Sequence, residues 1–569
     1  MARVNDEVAA ALFELADLLE ISGAERFRIL TYRRAATEVE ALSNDLSRLT
    51  KKEVMALRGV GRATAAKIAE YLDSGTMKIL EEARLTVPNG VREMMRLAGL
   101  GPKKALLIYH ELGIASIEEL KVAVTEQRLR TLVGLGPKTE DNLLRAFKTY
   151  SQTESRVLLD AALAVAERMI DELSQCSAVA NVTYAGSLRR MQETIGDIDI
   201  LVASDEALIV TDAFVELADV ADVAAHGLTK ISVITNNGLQ VDLRVIKPDE
   251  FGAALQYFTG SKDHNVKVRE IAVKQGMKLS EYGLFRGIDR IASRTEDEIY
   301  GALGMQTPPP TLRSDRGEVE LALKHDLPKL VQLEDIRGDL HSHTAYSDGH
   351  ASVAQMVAAA ADKGYEYFAI TDHGRNIYVK SLSLDDLERQ RDEIAKVNAT
   401  VGSMTVLHGV ECNIGIDGEL DYPDEVLARF DVVIASLHQH REMDSDAITK
   451  RIITALQNPH VNILGHPTGR SIGKREPMAF DLEAVFETAS NNKVALEINS
   501  NPRRLDLRDE HIRHATQYGC KFAINCDSHH PSRLGRMMFG VATAQRGWAT
   551  KKDVINCWPL TKLKDFLAK

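Results

Sequence analysis

Asp339-Leu340-His341-Ser342-His343-Thr344-Ala345-Tyr346-Ser347-Asp348-Gly349 is the stretch on which the fold of the C-terminal half turns. A His-x-His pair at the end of a short apolar segment puts both imidazoles on one side. The arrangement recurs downstream. YFAIT (367–371) leads to Asp372 and His373, VVIAS (432–436) to His438, NILGH (462–466) ends on His466, and KFAIN (521–525) leads to Asp527 and His529. VALEIN (494–499) is a further strand-like segment, and Glu411 stands in GVEC (409–412). Short apolar strands alternating with helices, with polar residues at their carboxyl ends, predict an α/β barrel whose site lies at that end. His341, His343, Asp348, His373, Glu411, His438, His466, Asp527 and His529 mix imidazole with carboxylate and outnumber the ligands of one ion. They imply two or three ions, with Glu411 a natural bridge.

Composition sets the frame for this reading. At 569 residues the chain holds several domains, and 44% hydrophobic with 27% charged residues is ordinary for a soluble protein. No apolar run of about 18 residues predicts a membrane span, and acids throughout residues 1–20 make a signal peptide unexpected. Cys176, Cys412, Cys520, Cys526 and Cys557 form no C-x-x-C pair, which favours a reducing cytoplasm over a disulfide or zinc-finger framework. The net charge of −12 looks wrong for a nucleic-acid binder, but residues 1–150 hold 23 Lys+Arg against 21 Asp+Glu, so the rest carries −14. Of the 17 histidines, 13 follow residue 334, the density expected of an imidazole–carboxylate metal site.

The middle of the chain reads as mixed α/β. VLLDAALAVAERMIDEL (157–173) is an amphipathic helix; NVTYAGSL (181–188), IDILVAS (198–204), ISVITNN (231–237) and QVDLRVI (240–246) look like strands. Residues 251–305 read as mostly helical, and the Pro-rich 307–320 as a linker. The strongest motif is GSLRRMQETIGDID (186–199): Asp197 and Asp199 alternate with apolar residues on a strand and face one way. Two carboxylates so placed can hold two Mg²⁺ about 3.5–4 Å apart. Asp242 adds a third on another strand, able to ligate a metal or accept a proton from a 3′-hydroxyl. Gly186, Ser187 and Arg190, with Gly196 before the aspartates, could cradle a departing pyrophosphate.

Residues 1–150 read as helices, among them 10–21 and 33–43. Leu-x-Gly-Val/Leu-Gly recurs there three times, at Gly59/Gly61, Gly99/Gly101 and Gly134/Gly136, the first glycines 40 and 35 residues apart. Between two helices this fits a helix-hairpin-helix whose backbone amides face a phosphate, supplemented by Lys103, Lys104 and Lys138. Such contacts position DNA without reading its sequence.

From 1 to about 315 the chain resembles the family X DNA polymerases, the group of DNA polymerase beta. The resemblance extends to Tyr257-Phe258-Thr259-Gly260-Ser261, with Asn265 and Arg269 at matching spacing. It implies that Tyr257 and Phe258 pack on the incoming sugar, Asn265 touches the minor-groove side of the base, and Arg269 meets the template. It also puts Lys67, in RATAAKIAE (62–70), at the Schiff-base position of a 5′-deoxyribose-phosphate lyase, with Arg28 and Tyr32 at its phosphate pocket. Ala63 departs from the animal enzyme, where a second lysine is usual. Residues 336–569 resemble the PHP family, a distorted seven-stranded (β/α) barrel holding three metals, and all nine of its ligand positions are filled here. A family X core followed by PHP is the order found in the bacterial and archaeal members.

The expected organisation is therefore multidomain: a lyase-like helical domain with the first hairpin (1–85), a helical subdomain with two more (86–152), an α/β nucleotidyltransferase palm (153–250), a nucleotide-selection subdomain (251–315), a linker (316–335) and a PHP metallohydrolase (336–569). The expected function is filling short gaps in base excision repair by template-directed synthesis. A metal-dependent 3′→5′ exonuclease accompanies it, with AP-endonuclease or 3′-end-processing activity. Gapped or nicked DNA and dNTPs are the partners, without membrane, on a cytoplasmic monomer. Mg²⁺ or Mn²⁺ (two ions) would serve synthesis, and Mn²⁺ and/or Zn²⁺ (two to three) the PHP site. Two other readings are a DNA-end-binding module with inactive centres and a PHP small-molecule phosphatase fused to a transferase. The intact carboxylates weigh against the first and the three hairpins against the second.

Overall fold

The computed structural model describes residues 3–21, 24–41, 46, 49–57, 59–74, 76–86, 91, 94, 100, 102–132, 135–136, 139–140, 143–144, 147, 156–375 and 382–569. Two compact units emerge, Met1–Glu154 with Gly473–Glu476, and Ser155–Ile472 with Pro477–Lys569.

The first unit is helical. Helices Arg3–Ile21, Arg26–Ala41, Arg62–Ser74 and Lys78–Thr86 bury Leu12, Leu15, Ala35, Val39, Ile68 and Leu80 in one core, as their 3.6-residue periodicity requires. The short helix Lys51–Ala56 starts at Thr50, whose side chain forms a capping box with Glu53. A turn through Gly59 (φ +79°), closed by Val60 N–H on the Leu57 carbonyl at 3.0 Å, joins it to Arg62–Ser74. The first hairpin thus has the expected helix–turn–helix form. Gly99, Gly101, Gly134 and Lys138 lie outside the described residues, as does the Lys103 side chain.

In the second unit, the short strands β1 (Val157–Leu158) and β3 (Thr194–Ile195) pair with each other. The palm sheet is built from β2 (Asn181–Tyr184), β4 (Asp197–Ala203), β5 (Val220–His226), β6 (Lys230–Thr235) and β7 (Gln240–Ile246), in the order β2-β4-β7-β6-β5. Helix Leu159–Leu173 covers it with Leu159, Ala162, Ala166 and Met169. Two expectations need correction and a third is incomplete. The 181–188 strand stops at Tyr184, and Gly186–Arg189 is one helical turn. The 251–305 region is mostly helical, with helices Phe251–Thr259, Lys262–Lys274 and Glu296–Ala302, but it also holds a small sheet that the sequence did not show. After the first two helices it folds β8 (Lys278–Ser280), β9 (Gly283–Arg286) and β10 (Asp289–Ala292) into an antiparallel sheet. Residues 307–335 do not behave as a free linker. Arg313 and Glu318 are fully buried. Arg313 pairs with Glu296 and lies 5.3 Å from the Tyr300 ring, while Glu318 meets His264 Nδ1 at 2.7 Å. Charged and proline-rich segments read as loops, but each of these charges finds a partner, which is what burial demands.

The C-terminal strands β11 (Gly338–Asp339), β12 (Tyr367–Ile370), β13 (Thr405–Asn413), β14 (Val432–Ser436), β15 (Ile463–Leu464), β16 (Ala495–Asn499) and β17 (Phe522–Asn525) are parallel neighbours in chain order. A parallel bridge between Ser342 and Ser528 brings the first and last strands together, leaving a nearly closed seven-stranded barrel. Side chains alternate with period two. Tyr367, Ala369, Leu407, Val432, Ile434, Ile463, Ala495 and Ala523 form one buried apolar cluster, closed by Ile555, Trp558 and Leu563. On the same parity, towards the carboxyl ends, come Glu411, Ser436, Glu497, Asn499, Asn525 and Asp527. The barrel is apolar at its floor and polar at its mouth, so the ligand candidates converge there.

Candidate metal centres

The three palm aspartates are brought together by strand register. β4 and β7 run parallel with Asp199 opposite Asp242, and Asp197 precedes Asp199 by two residues on the same face. Burial, with Asp197 and Asp242 adding like charge, pushes the Asp199 carboxyl up to about 6. Asp242 is held by Gln240 Nε2 at 2.8 Å and Lys230 Nζ at 3.5 Å. Three converging carboxylates, one of them already reluctant to ionise, fit a divalent cation.

Gly186 abuts this group. Its φ is +59°, and a Cβ there would stand 2.2 Å from Asp199 Oδ2, so only glycine fits. Gly186→Ala is therefore expected to displace the carboxylate and cut nucleotidyl transfer roughly 10²-fold, measured as the single-turnover extension rate. Ser187 shares the helical turn Gly186–Arg189 and accepts Gln192 N–H at its carbonyl, 3.1 Å away. Arg190 donates to the Thr259 carbonyl, and Gly196 passes close to the Arg156 guanidinium. Gly260 (φ +70°) ends helix Phe251–Thr259 beside Arg190. The Tyr257 and Phe258 rings pack edge to face at 5.0 Å, with the Arg244 guanidinium 4.3 Å from Phe258. Asn265 is engaged on both sides of its amide, donating to the Tyr257 carbonyl at 2.7 Å and accepting from Gln256 at 2.8 Å. Arg269 lies one turn further along the same helix. The geometry therefore joins Gly186, Arg190 and Gly260 to the aspartates, and Asn265 to Tyr257.

All nine C-terminal candidates meet at the barrel mouth. Glu411 is their centre. Its Oε2 lies 2.9 Å from His373 Nδ1, 3.3 Å from His341 Nε2 and 3.5 Å from His343 Nε2, and its Oε1 lies 3.0 Å from His466 and 3.2 Å from His438. Asp527 Oδ1 is 3.1 Å from His343 Nε2, and Asp348 Oδ1 is 3.3 Å from His529 Nε2. Three sets each offer three or more ligand atoms within reach of one ion: His343/Asp348/His373/His529, His341/His343/Asp527, and His373/Glu411/His438. His341 Nε2 and both ring nitrogens of His343 are buried without a hydrogen-bond partner. Buried orphans aimed at carboxylates are what a metal site looks like before its ions are counted. The electrostatics agree. Burial alone would lower His373, yet Glu411 and Asp348 carry it up to about 10. Burial would raise Glu411, but its imidazole neighbours hold it well below the carboxylate range. The mouth demands positive charge.

The sequence reading missed Glu497. It accepts from His341 Nδ1 at 2.7 Å, His466 N–H at 2.7 Å and Asn525 at 3.0 Å. It thereby turns His341 Nε2 toward Glu411 and Asp527, an outer-shell role. Its signal was an acid inside the apolar strand VALEIN. Asp506 was missed too; it accepts Thr468 and Gly469 N–H groups and shapes the loop after His466.

In the helical unit, Lys67 is half-buried on helix Arg62–Ser74. Arg28 is exposed and Tyr32 buried in the helical core, both on helix Arg26–Ala41. Gly61 and Gly136 are exposed, and Lys104 is half-buried on helix Pro102–Leu112. No helix among the described residues is long and apolar enough to cross a membrane.

A palm with three carboxylates on adjacent strands, joined to a parallel barrel with nine candidate ligands at its mouth, points to a nucleotidyltransferase fused to a metallohydrolase. Comparison with known proteins gives this class a family. The DNA polymerase beta thumb matches residues 254–314, a helix-hairpin-helix domain 3–77, a SAM-like helix-hairpin-helix tandem 91–149, and a PHP domain 339–501. The DNA polymerase/3′-5′ exonuclease PolX of Bacillus subtilis (strain 168) is 38% identical over 569 residues, 99% of each chain. DNA polymerase lambda of Rattus norvegicus is 26% identical over 335 residues, 53% of this chain and 55% of its own. A probable phosphatase of Thermoanaerobacter sp. (strain X514) is 29% identical over 248 residues, 40% of this chain and 93% of its own. The chain belongs to the PolX family of DNA polymerases.

Proposed function

We infer that the chain is a DNA-directed DNA polymerase that fills short gaps and carries a 3′→5′ exonuclease in its PHP barrel. The observation that carries this reading is that Asp197, Asp199 and Asp242 stand on one face of adjacent strands while nine His, Asp and Glu residues gather separately around Glu411. Residues 1–85 and 86–152 grip gapped or nicked DNA through their hairpins. Residues 153–250 carry the transfer, 251–315 select the nucleotide, and 336–569 degrade 3′ ends.

Asp197, Asp199 and Asp242 hold two Mg²⁺ or Mn²⁺ ions. Asp242, steadied by Gln240 and Lys230, accepts the proton of the attacking 3′-hydroxyl. Arg190 and Ser187 hold the leaving pyrophosphate, Tyr257 and Phe258 pack on the sugar, and Asn265 and Arg269 meet the base and the template strand. In the barrel, the nine ligands hold two or three Mn²⁺ or Zn²⁺ ions. Bound there, the ions supply an acidified water and neutralise charge on the phosphodiester. Glu497 orients His341. AP-site cleavage belongs to the same barrel, and the protein works as a cytoplasmic monomer in base excision repair.

The test is a labelled one-nucleotide gap with each metal in turn, beside single-stranded DNA and histidinol phosphate. Extension with dNTPs and degradation without them are expected. Hydrolysis of histidinol phosphate alone would reverse the reading in favour of a small-molecule phosphatase.

Lys67 is the Schiff-base nucleophile for 5′-deoxyribose phosphate in this reading. Borohydride is expected to trap a covalent adduct that Lys67→Ala loses. Undiminished trapping in the variant would move the nucleophile to another amine.

A further inference from the structure

The palm loop between Arg190 and Asp197 is not held by the palm alone. Glu193, midway along it, is bound by two arginines of the barrel region. Arg470 Nη1 donates to Glu193 Oε2 at 3.1 Å and its Nη2 to Oε1, while Arg546 Nη2 lies 3.7 Å from Oε1. Arg546 also donates to the Met191 carbonyl. Both arginines are almost wholly buried, at 7% and 3% exposed. Arg470 spends its other donors on the carbonyls of Arg504 and Leu505. Leu505 and Phe539, from the barrel region, are buried in the palm core with Leu188, just before this loop, and Ile195, within it. On the palm side, the Glu193 carbonyl accepts Leu159 N–H at 3.2 Å, so the residue is pinned at both ends.

Two nearly buried guanidiniums would be costly without anions: Glu193 supplies one to Arg470, and Arg546 lies between Glu193 and Asp509, whose Oδ2 is 3.9 Å from its Nε. A bidentate Arg–carboxylate pair also fixes direction as well as distance. Glu193 is three residues from Arg190 and four from Asp197, so a shift of its carboxylate is passed to both ends of the loop. Arg470 in turn follows His466 by four residues, on the loop that Asp506 shapes.

We propose that Arg470 and Arg546 are positioning residues for nucleotidyl transfer: through Glu193 and the Met191 carbonyl, the barrel region holds the loop that presents Arg190 to the nucleotide. The inference rests on the polymerase reading above. It makes the C-terminal region part of the scaffold of the synthesis site, beyond being a second enzyme on the same chain.

The experiment uses the full chain and four variants, Glu193→Gln, Arg546→Met, their double and Arg470→Lys, in steady-state filling of a one-nucleotide gap. Glu193→Gln is expected to raise the KM for dNTP roughly tenfold, leaving the affinity for gapped DNA and the exonuclease rate at wild-type values. Arg546→Met should do the same, and the double variant should be no worse than the more affected single one, because both act through one loop. Arg470→Lys keeps the charge but loses the fork, and is expected to raise the dNTP KM also. A purely structural role would lower synthesis and degradation together, in step with the folded fraction read by thermal melting. That outcome, or a dNTP KM within twofold of wild type in folded Glu193→Gln and Arg470→Lys, overturns the proposal. Failure of the wild-type chain to extend any gap would instead defeat the polymerase reading itself.

Discussion

Glu411→Ala is expected to eliminate 3′→5′ degradation while gap filling proceeds at the wild-type rate. Five imidazole nitrogens lie within 2.9–3.5 Å of this one carboxylate, which is buried and shared among them. Without it, cations held by the surrounding histidines would face one another with less negative charge between them, and at least one ion should leave. The loss should exceed the roughly 10–100-fold that an outer-shell partner controls. Glu497→Gln, whose carboxylate touches His341 through Nδ1, supplies that milder comparison. Elemental analysis of purified protein should show at least one ion fewer per chain in Glu411→Ala. Synthesis is spared because Asp197, Asp199 and Asp242 share no ligand with the barrel. Full exonuclease activity at the wild-type metal count would show that the nuclease lies elsewhere.

The converse variant, Asp197→Ala with Asp199→Ala, is expected to abolish extension and retain Mn²⁺-dependent degradation. A subtler substitution probes the same carboxylates. Folding raises Asp199 to about 6, from the ordinary 3.8, through burial and the neighbouring Asp197 and Asp242. Its ionised form therefore opposes folding: the penalty is fully present above pH 6 and fades to nothing as pH falls through the unfolded value near 4. At pH 8 it amounts to about 3 kcal/mol. In EDTA, Asp199→Asn should melt several degrees higher than wild type at pH 8, with a smaller gap at pH 5, although it extends no primer. Added Mg²⁺ should stabilise wild type more than the variant, which keeps only the barrel's candidate sites. An Asp199→Asn protein that melts with wild type at pH 8 would mean that the three carboxylates do not repel one another in the folded chain.

The convergence of both candidate sets was legible because strand chemistry is local. Period-two alternation tells which side Asp197 and Asp199 face, and a polar residue just past an apolar strand marks a barrel mouth. Glu497 was not legible, since an acid within VALEIN is distinguished only by the His341 ring that arrives from more than a hundred residues away. The three strands after Met277 are three or four residues long, too short for alternation to show against the helices before them. The 307–335 stretch misled for a related reason. Arg313 and Glu318 have the composition of a solvated loop, and only the partners Glu296 and His264 reveal that they are interior. Glu193, likewise, reads as a surface acid until Arg470 is seen beside it.

The order of strands in the barrel has a consequence for when each activity can appear during synthesis of the chain. Ligands are spread over the whole circuit of parallel strands, and the closing contact joins segments 187 residues apart, as where Cys526 N–H reaches Asp339. Such distant pairings are slow to form, because the intervening chain must be ordered first. Of the nine proposed ligands, Asp527 and His529 leave the ribosome last, so on that reading a nascent chain that already carries all three palm aspartates has no complete nuclease. Degradative power would arrive only when the barrel shuts, and a chain cut short within the final strand would be left without it.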